Sequence, residues 1–259
     1  MKQSIYSFAG TAKKLKASLP DRFRFDEKKH AYFLNDKPMM GCTSVLGVIA
    51  KPALIGWASK MACEHIRDTG IEKTIDGIHY ILTQGHLIEE AKNAHRKKKE
   101  AAGESGTDLH ALAEGYIRLC IDSNDGKPHA VCPAGLEQFR DWAITHSVKF
   151  LATEKRMYSK TWWIAGTADI IFEKDGKKYI GDIKTYKKIW DRVPFFQCAG
   201  YANMYEEMTG GKETISGYCV LRLSKDGSFE EKWSFDIEGD TKAFFACVEL
   251  YRQLQNYTT

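Results

Sequence analysis

Gly166-Thr-Ala-Asp169-Ile-Ile-Phe-Glu-Lys174-Asp175-Gly176-Lys177-Lys-Tyr-Ile-Gly-Asp182-Ile183-Lys184-Thr185 carries two β-rich runs around an Asp-Gly pair. Asp-Gly between such runs is the strongest short-range hairpin signal, because a tight two-residue turn needs positive φ at both positions. A turn at Asp175-Gly176 pairs Lys174 with Lys177 and, counting outward, sets Asp169 opposite Asp182. Opposed residues leave the same face of the sheet with Cβ atoms roughly 5 Å apart. Lys184, two residues past Asp182, shares that face. Opposed carboxylates repel, and the neighbours Ile170, Ile171, Ile180 and Ile183 predict a buried hairpin, where unpaired acids are costly. A divalent cation offsets both effects, and oxygen ligands suit Mg²⁺ or Mn²⁺. The simpler alternative is a solvent-facing pair with Lys184 as a salt-bridge partner.

Outward from the hairpin, the pattern is mixed. On the N-terminal side, Val148 to Tyr158 reads as a strand, Leu136 to His146 as a helix, and Ile121 to Ala134 as a loop. Leu109, Leu112, Ala113, Tyr116, Ile117 and Cys120 recur at helical spacing and predict an amphipathic helix over Asp108 to Cys120. Gly103 to Gly106 predicts a break before it, and Ile78 to Lys99 a separate basic helix. Further back, Pro52 ends a short helix through Val45 to Ile49, a second helix runs through Trp57 to Ile66, and Arg22 to Phe25 and Ala31 to Leu34 read as strands. On the C-terminal side, Pro194 to Met208 is a helix, Ile215 to Leu223 and Glu230 to Phe235 a hairpin about Asp226-Gly227, and Thr241 to Leu254 a final helix. These elements predict an α/β (α+β) fold, a central mixed sheet flanked by helices. One domain spans 1–259, with a mostly helical region over 41–125 and the sheet core over 136–259.

Composition narrows the class. Of 259 residues, 43% are hydrophobic and 28% charged, which excludes a disordered chain. No apolar run approaches the ~20 residues of a membrane span, so no membrane association is expected. Met1 to Pro20 lacks the apolar core of a secretory signal, and a cytoplasmic location is expected. The seven cysteines include no CxxC, which argues against a zinc ribbon. The net charge of +4 favours an anionic partner only weakly, but Lys92 to Lys99 concentrates positive charge. Lys97, Lys98 and Lys99 are either a solvated helix face or phosphate contacts.

The order Asp169, then Asp182-Ile183-Lys184, resembles the signature of the PD-(D/E)XK nuclease superfamily, and more narrowly its RecB-like branch, which includes CRISPR-associated, mitochondrial genome maintenance and phage exonucleases. Gly106-Thr-Asp-Leu-His110-Ala-Leu-Ala-Glu114 resembles that branch's histidine helix, and Gln197-Cys-Ala-Gly-Tyr201 its QxxxY motif. The resemblance implies a restriction-endonuclease-like core and metal-dependent hydrolysis of DNA phosphodiester bonds at strand ends. It implies Mg²⁺ or Mn²⁺ held by His110, Asp169, Asp182 and the backbone carbonyl of Ile183, with Lys184 acting on the attacking water. Glu114 would support His110 or a metal water. Gln197, Tyr201 and Tyr205 share a helix face and would meet DNA or position Lys184. Glu154 resembles an acid that often precedes the motif, and no metal role is assigned to it. The C-terminal cysteine cluster of iron–sulfur relatives is absent, so no such cluster is expected.

The implied setting is phage or bacterial recombination, replication or repair, beside a single-strand annealing or binding protein. The helical region would form an arch or wall over DNA, with Trp57, Trp162, Trp163 and Trp190 as candidate stacking residues. Two other readings remain open: a structure-specific endonuclease, and a catalytically silent nucleic-acid-binding protein.

Overall fold

The computed structural model describes residues 21–186 and 188–256, and of 52, 53, 99, 101–108 and 256 the backbone alone. Met1 to Pro20, read above as lacking a signal, lies outside the described residues. The chain divides into two units at Met39.

The described part of the first unit is an antiparallel sheet of β1 (Phe23–Asp26), β2 (Ala31–Leu34) and β3 (Lys37–Pro38). Asn35 and Asp36 make the two-residue turn between β2 and β3, both at positive φ, 50° and 64°. Asn and Asp tolerate that region better than other L-residues.

The second unit begins with β4 (Met40–Gly41), α1 (Cys42–Leu46) and α2 (Pro52–Thr69). Pro52 opens α2 where a break was expected, since a first-turn proline gives up an N–H that has no helical partner. Next come β5 (Ile71–Ile75) and β6 (Ile78–Leu82), a hairpin in a stretch whose second half was expected to be helical. Asp76-Gly77 turns it, at φ 51° and 78°, by the same chemistry as Asp175-Gly176. The following α3 (Gly85–Asn124) is one helix of 40 residues. It runs unbroken through Gly103 to Gly106, correcting the expected break. Each helical glycine costs about 1 kcal/mol relative to alanine, a cost that the anchored C-terminal half of this helix outweighs.

After α4 (Glu137–Thr145) come the long strands β7 (Lys149–Ser159), β8 (Ile164–Lys174) and β9 (Lys177–Lys184), then α5 (Val193–Met208), β10 (Ile215–Leu223), β11 (Phe229–Ser234) and α6 (Ile237–Asn256). The mixed sheet has the order β11-β10-β9-β8-β4, and β7 also pairs β8. β9 and β10 are parallel, joined through α5, while β8–β9 and β10–β11 are antiparallel. The α/β reading holds, with helices on both faces and a helical region before the sheet. One face packs Ala113, Tyr116, Ile117 and Cys120 of α3 and Phe139 and Trp142 of α4 on Phe150, Ile170 and Phe172. The other packs α1, α5 and α6 through Val45, Phe195, Tyr201 and Phe244. Burying each such side chain contributes about 1.5–3 kcal/mol.

The β8–β9 register is the one the turn dictates: Lys174 with Lys177, and so on to Ile170 with Gly181. Asp175 and Gly176 sit at φ 53° and 70°. On its other edge β8 is paired with β7 from Ile164 to Glu173. β4 and β9 therefore share the remaining edge, β4 at Ile164–Ala165 and β9 from Ile170 onward. Among the described residues, these two ladders leave an opening along Gly166 to Asp169 on that edge.

Candidate metal centre

Asp169 stands at the lip of this opening. Its Oδ2 accepts the Ile183 amide hydrogen at 2.6 Å, a side-chain bond in place of the ladder that ends one residue earlier. The Thr153 hydroxyl donates to the Asp169 carbonyl at 3.0 Å, fixing the backbone from the β7 side. On β7, Thr153 pairs Ile170 and Lys155 pairs Ala168, so Glu154 lies opposite Asp169. Glu154 takes φ 47°, inside a strand. That conformation costs an L-residue roughly 1–2 kcal/mol, and such strain concentrates at functional sites.

His110, on α3 over this part of the sheet, completes the group. One ligand atom each from His110, Glu154 and Asp169 lie within 4.8 Å of one another. Burial, then the Lys184 charge, hold His110 below its ordinary pKa, keeping the imidazole neutral as a ligand must be. Glu154 is pushed up to about 7 by burial and by the nearby Asp169 and Glu114 carboxylates. Burial likewise raises Asp169. Crowded carboxylates beside a neutral imidazole fit a divalent cation, because its charge relieves their repulsion and they supply hard oxygen ligands. The identity of the ion, Mg²⁺ or Mn²⁺, is not set by this donor set.

Asp182 and Lys184 are adjacent but paired with each other. Asp182 is fully buried, and Lys184 Nζ lies 2.7 and 2.6 Å from its two oxygens. Burial raises the Asp182 carboxyl. Burial also opposes the Lys184 ammonium, but Asp182 and Asp169 outweigh it and hold its pKa above the usual value. Lys184 is therefore a charged group whose ammonium is held by Asp182.

The remaining expected residues fall in different places. Glu114, one turn after His110, pairs with Arg118 and is close enough to act on Glu154. Gln197 and Tyr201 lie on α5, where Gln197 Nε2 donates to the Tyr201 hydroxyl at 2.7 Å. Tyr201 is buried, and a Cβ on Gly166 would stand 2.6 Å from its ring. Gly166 thus lets the tyrosine close over the unpaired part of β8. Tyr205 is half-buried, its hydroxyl donating to Glu213, which pairs with Lys178. Lys97 and Lys98 are exposed on α3, about 18 Å along the helix from His110 at 1.5 Å per residue. The Lys99 side chain lies outside the described residues.

Glu154 is the residue sequence reasoning passed over. Its signal was the β7–β8 pairing, which no local turn fixes, since Ser159 and Ile164 are joined by a longer loop. A triad able to hold a divalent metal thus stands on a mixed sheet with flanking helices. No helix among the described residues is long and apolar enough to cross a membrane.

No protein-family model matches the chain. No curated protein matches it. Among solved structures it has a distant likeness to SSO0001, at 14% identity and TM-score 0.34 over 80% of this chain and 89% of that one. A second is an alkaline exonuclease (LHK-Exo) from Laribacter hongkongensis, at 12% identity and TM-score 0.32 over 85% of this chain and 93% of that one. The structure of LHK-Exo with dAMP gives 12% identity and a TM-score of 0.29 over the same shares.

Proposed function

We propose that this chain is a metal-dependent nuclease of the RecB-like PD-(D/E)XK type that hydrolyses phosphodiester bonds at DNA ends. The observation that carries the reading is the convergence of His110, Glu154 and Asp169 beside the buried Asp182–Lys184 pair. His110, Glu154 and Asp169 would hold the cation, with Asp182 and the Ile183 carbonyl next to them. A divalent ion bound there supplies charge that polarises a phosphate and acidifies a water.

The chain's own groups do the rest. Lys184, kept protonated by Asp182, donates hydrogen bonds to phosphate oxygens as negative charge builds on them. Asp182 aims that ammonium. The Asp169–Ile183 bond fixes the distance between β8 and β9 where the phosphate would sit. Gln197 and Tyr201 brace β8 from behind, which supports a positioning role over direct DNA contact. Lys97, Lys98 and Lys99 would meet phosphates farther along the strand. Recombination or repair, a single-strand annealing partner and a cytoplasmic location belong to the same proposal.

The test uses end-labelled linear DNA and closed circular DNA, each with Mg²⁺, Mn²⁺ or EDTA, with Asp169→Asn alongside. Metal-dependent loss of linear DNA alone, abolished in the variant, is the expected result. Cutting of the circle would replace the exonuclease by an endonuclease. No cutting with either metal would overturn the enzymatic reading.

A further inference from the structure

Residues 185, 186 and 188–192 are the described residues between Lys184, the last of β9, and Val193, the first of α5. Among them Trp190 is 76% exposed, among the most exposed large apolar side chains described, and Tyr186 is 39% exposed. This exposure does not come from a loose loop. Ile189, immediately before Trp190, is buried in the core with Cys198 and Tyr218, and its carbonyl accepts Lys232 Nζ at 2.7 Å. Immediately after, the Asp191 carboxylate accepts the Val193 amide at 3.0 Å. Arg192 pairs at 2.6 Å with Asp240, which is fully buried. The backbone is pinned on both sides of Trp190, and the indole is held outward. Lys188 sets its ammonium 5.3 Å from the indole centroid. Tyr186 follows Lys184 by two residues in the chain.

We infer that Trp190 and Lys188 form a stacking platform for an unpaired nucleobase, with Trp190 as the flat surface and Lys188 as its phosphate contact. The inference rests on the nuclease reading for the identity of its ligand. A pinned, outward indole offers a π-face at little ordering cost, and every base has a matching face. An ammonium over one face of the ring selects an anionic polymer over a neutral apolar surface and leaves the other face for a base, while the carboxylate of the next residue, Asp191, is engaged by the Val193 amide. Bases inside a duplex are stacked on both faces, so away from a duplex end only an unpaired base can lie on the indole.

The test is fluorescence anisotropy with labelled (dT)20 and a 20-base-pair duplex, in EDTA to prevent hydrolysis, on the full chain. The variants are Trp190→Ala, Trp190→Phe and Lys188→Ala. Base–aromatic stacking predicts that Trp190→Ala weakens (dT)20 binding roughly tenfold or more, with Phe restoring most of it and duplex affinity nearly unchanged. Lys188→Ala should lower the single-strand salt slope by about 0.7. Thermal unfolding of Trp190→Ala should match the parent, because the ring is outside the core. Unchanged (dT)20 affinity in Trp190→Ala, with the parent still binding and cleaving DNA, overturns the platform and leaves the nuclease reading standing. An equal loss for duplex overturns the single-strand assignment. A stacking loss in a protein that cleaves nothing with either metal upholds the platform and removes the nuclease. Loss of self-association in Trp190→Ala, with unchanged (dT)20 binding, would make the surface an interface between copies and overturn the inference.

Discussion

Asp169 Oδ2 takes the Ile183 amide hydrogen at 2.6 Å, so one carboxylate both faces the candidate metal centre and ties β8 to β9 beyond the end of their ladder. The two roles separate by substitution. Asp169→Asn keeps an acceptor oxygen for Ile183 and loses the charge; it should retain the parent stability and lose metal-dependent hydrolysis. Asp169→Ala leaves the buried amide unpaired and should cost a further 1–3 kcal/mol or so. Urea unfolding of both variants, without metal, decides it. Equal stability of the two would show that the Ile183 bond holds nothing together.

Glu154 combines strain with charge. Replacing it by glycine removes the left-handed penalty of about 1–2 kcal/mol, against about 0.5–1 kcal/mol of added backbone entropy. It also removes a carboxylate facing Asp169. Glu154→Gly should therefore hold or slightly raise the metal-free Tm, while the Tm gain on adding Mn²⁺ largely disappears. A lower metal-free Tm with an undiminished Mn²⁺ effect would take Glu154 out of the centre.

Lys184 is a poor candidate for simple truncation. Lys184→Met strands the fully buried Asp182 carboxylate, and removing one partner of a buried pair costs about 3–5 kcal/mol. Most of that should return in the double variant Asp182→Asn/Lys184→Met, which carries no buried charge at the pair. Chemical denaturation of the single and double variants measures the coupling. Activity of Lys184→Met alone would confound chemistry with folding.

Gly166 is required by Tyr201. A Cβ there would lie 2.6 Å from the ring carbon Cε1 and 3.1 Å from Cys42 Cβ. Gly166→Ala should destabilise by about 1–3 kcal/mol through overpacking. Tyr201→Phe should give no relief, since the clash is with the ring and not the hydroxyl. Thermal melts of Gly166→Ala, Tyr201→Phe and the double variant test this.

Asp226 gives a pH signature away from the metal centre. The Ser228 hydroxyl and amide, with Ser224, hold its carboxyl down to about 2. A depressed folded-state pKa contributes stability that is complete above the unfolded value near 4 and is lost as pH falls toward 2. Asp226→Asn should flatten that part of the acid stability profile, and carboxyl titration by NMR should put the midpoint well below 3.8 in the parent.

Two of the Asp-Gly turns, at Asp76 and Asp175, show how much was legible. Both are local: two residues at positive φ, flanked by β-formers, fix a hairpin without help from the rest of the chain. The turn at Asp175 was read and gave the β8–β9 register correctly. The one at Asp76 carried the same signal, but the helical character of the basic stretch after it drew the reading toward helix. The helix over Gly103 to Gly106 fails in the opposite sense. Two glycines read as a break on local grounds, yet the helix persists, anchored beyond them by Ala113, Tyr116 and Ile117 in the core.

The sequence by itself determined the β8–β9 hairpin, its register and so the shared neighbourhood of Asp169, Asp182 and Lys184, because turn chemistry and side-chain alternation act over a few residues. Tertiary structure decided the rest of the centre. His110 from α3 and Glu154 from β7 reach Asp169 only when the helix and the sheet bury their apolar faces together. The edge of β8 is split between β4 and β9 by pairings between distant segments, which no short stretch encodes. On the β9 edge the ladder ends at Ile170, and the Asp169 carboxylate takes the Ile183 amide one residue beyond it. The preference of Asp182 for Lys184 follows from burial, since a carboxylate with no access to water must keep its nearest cation.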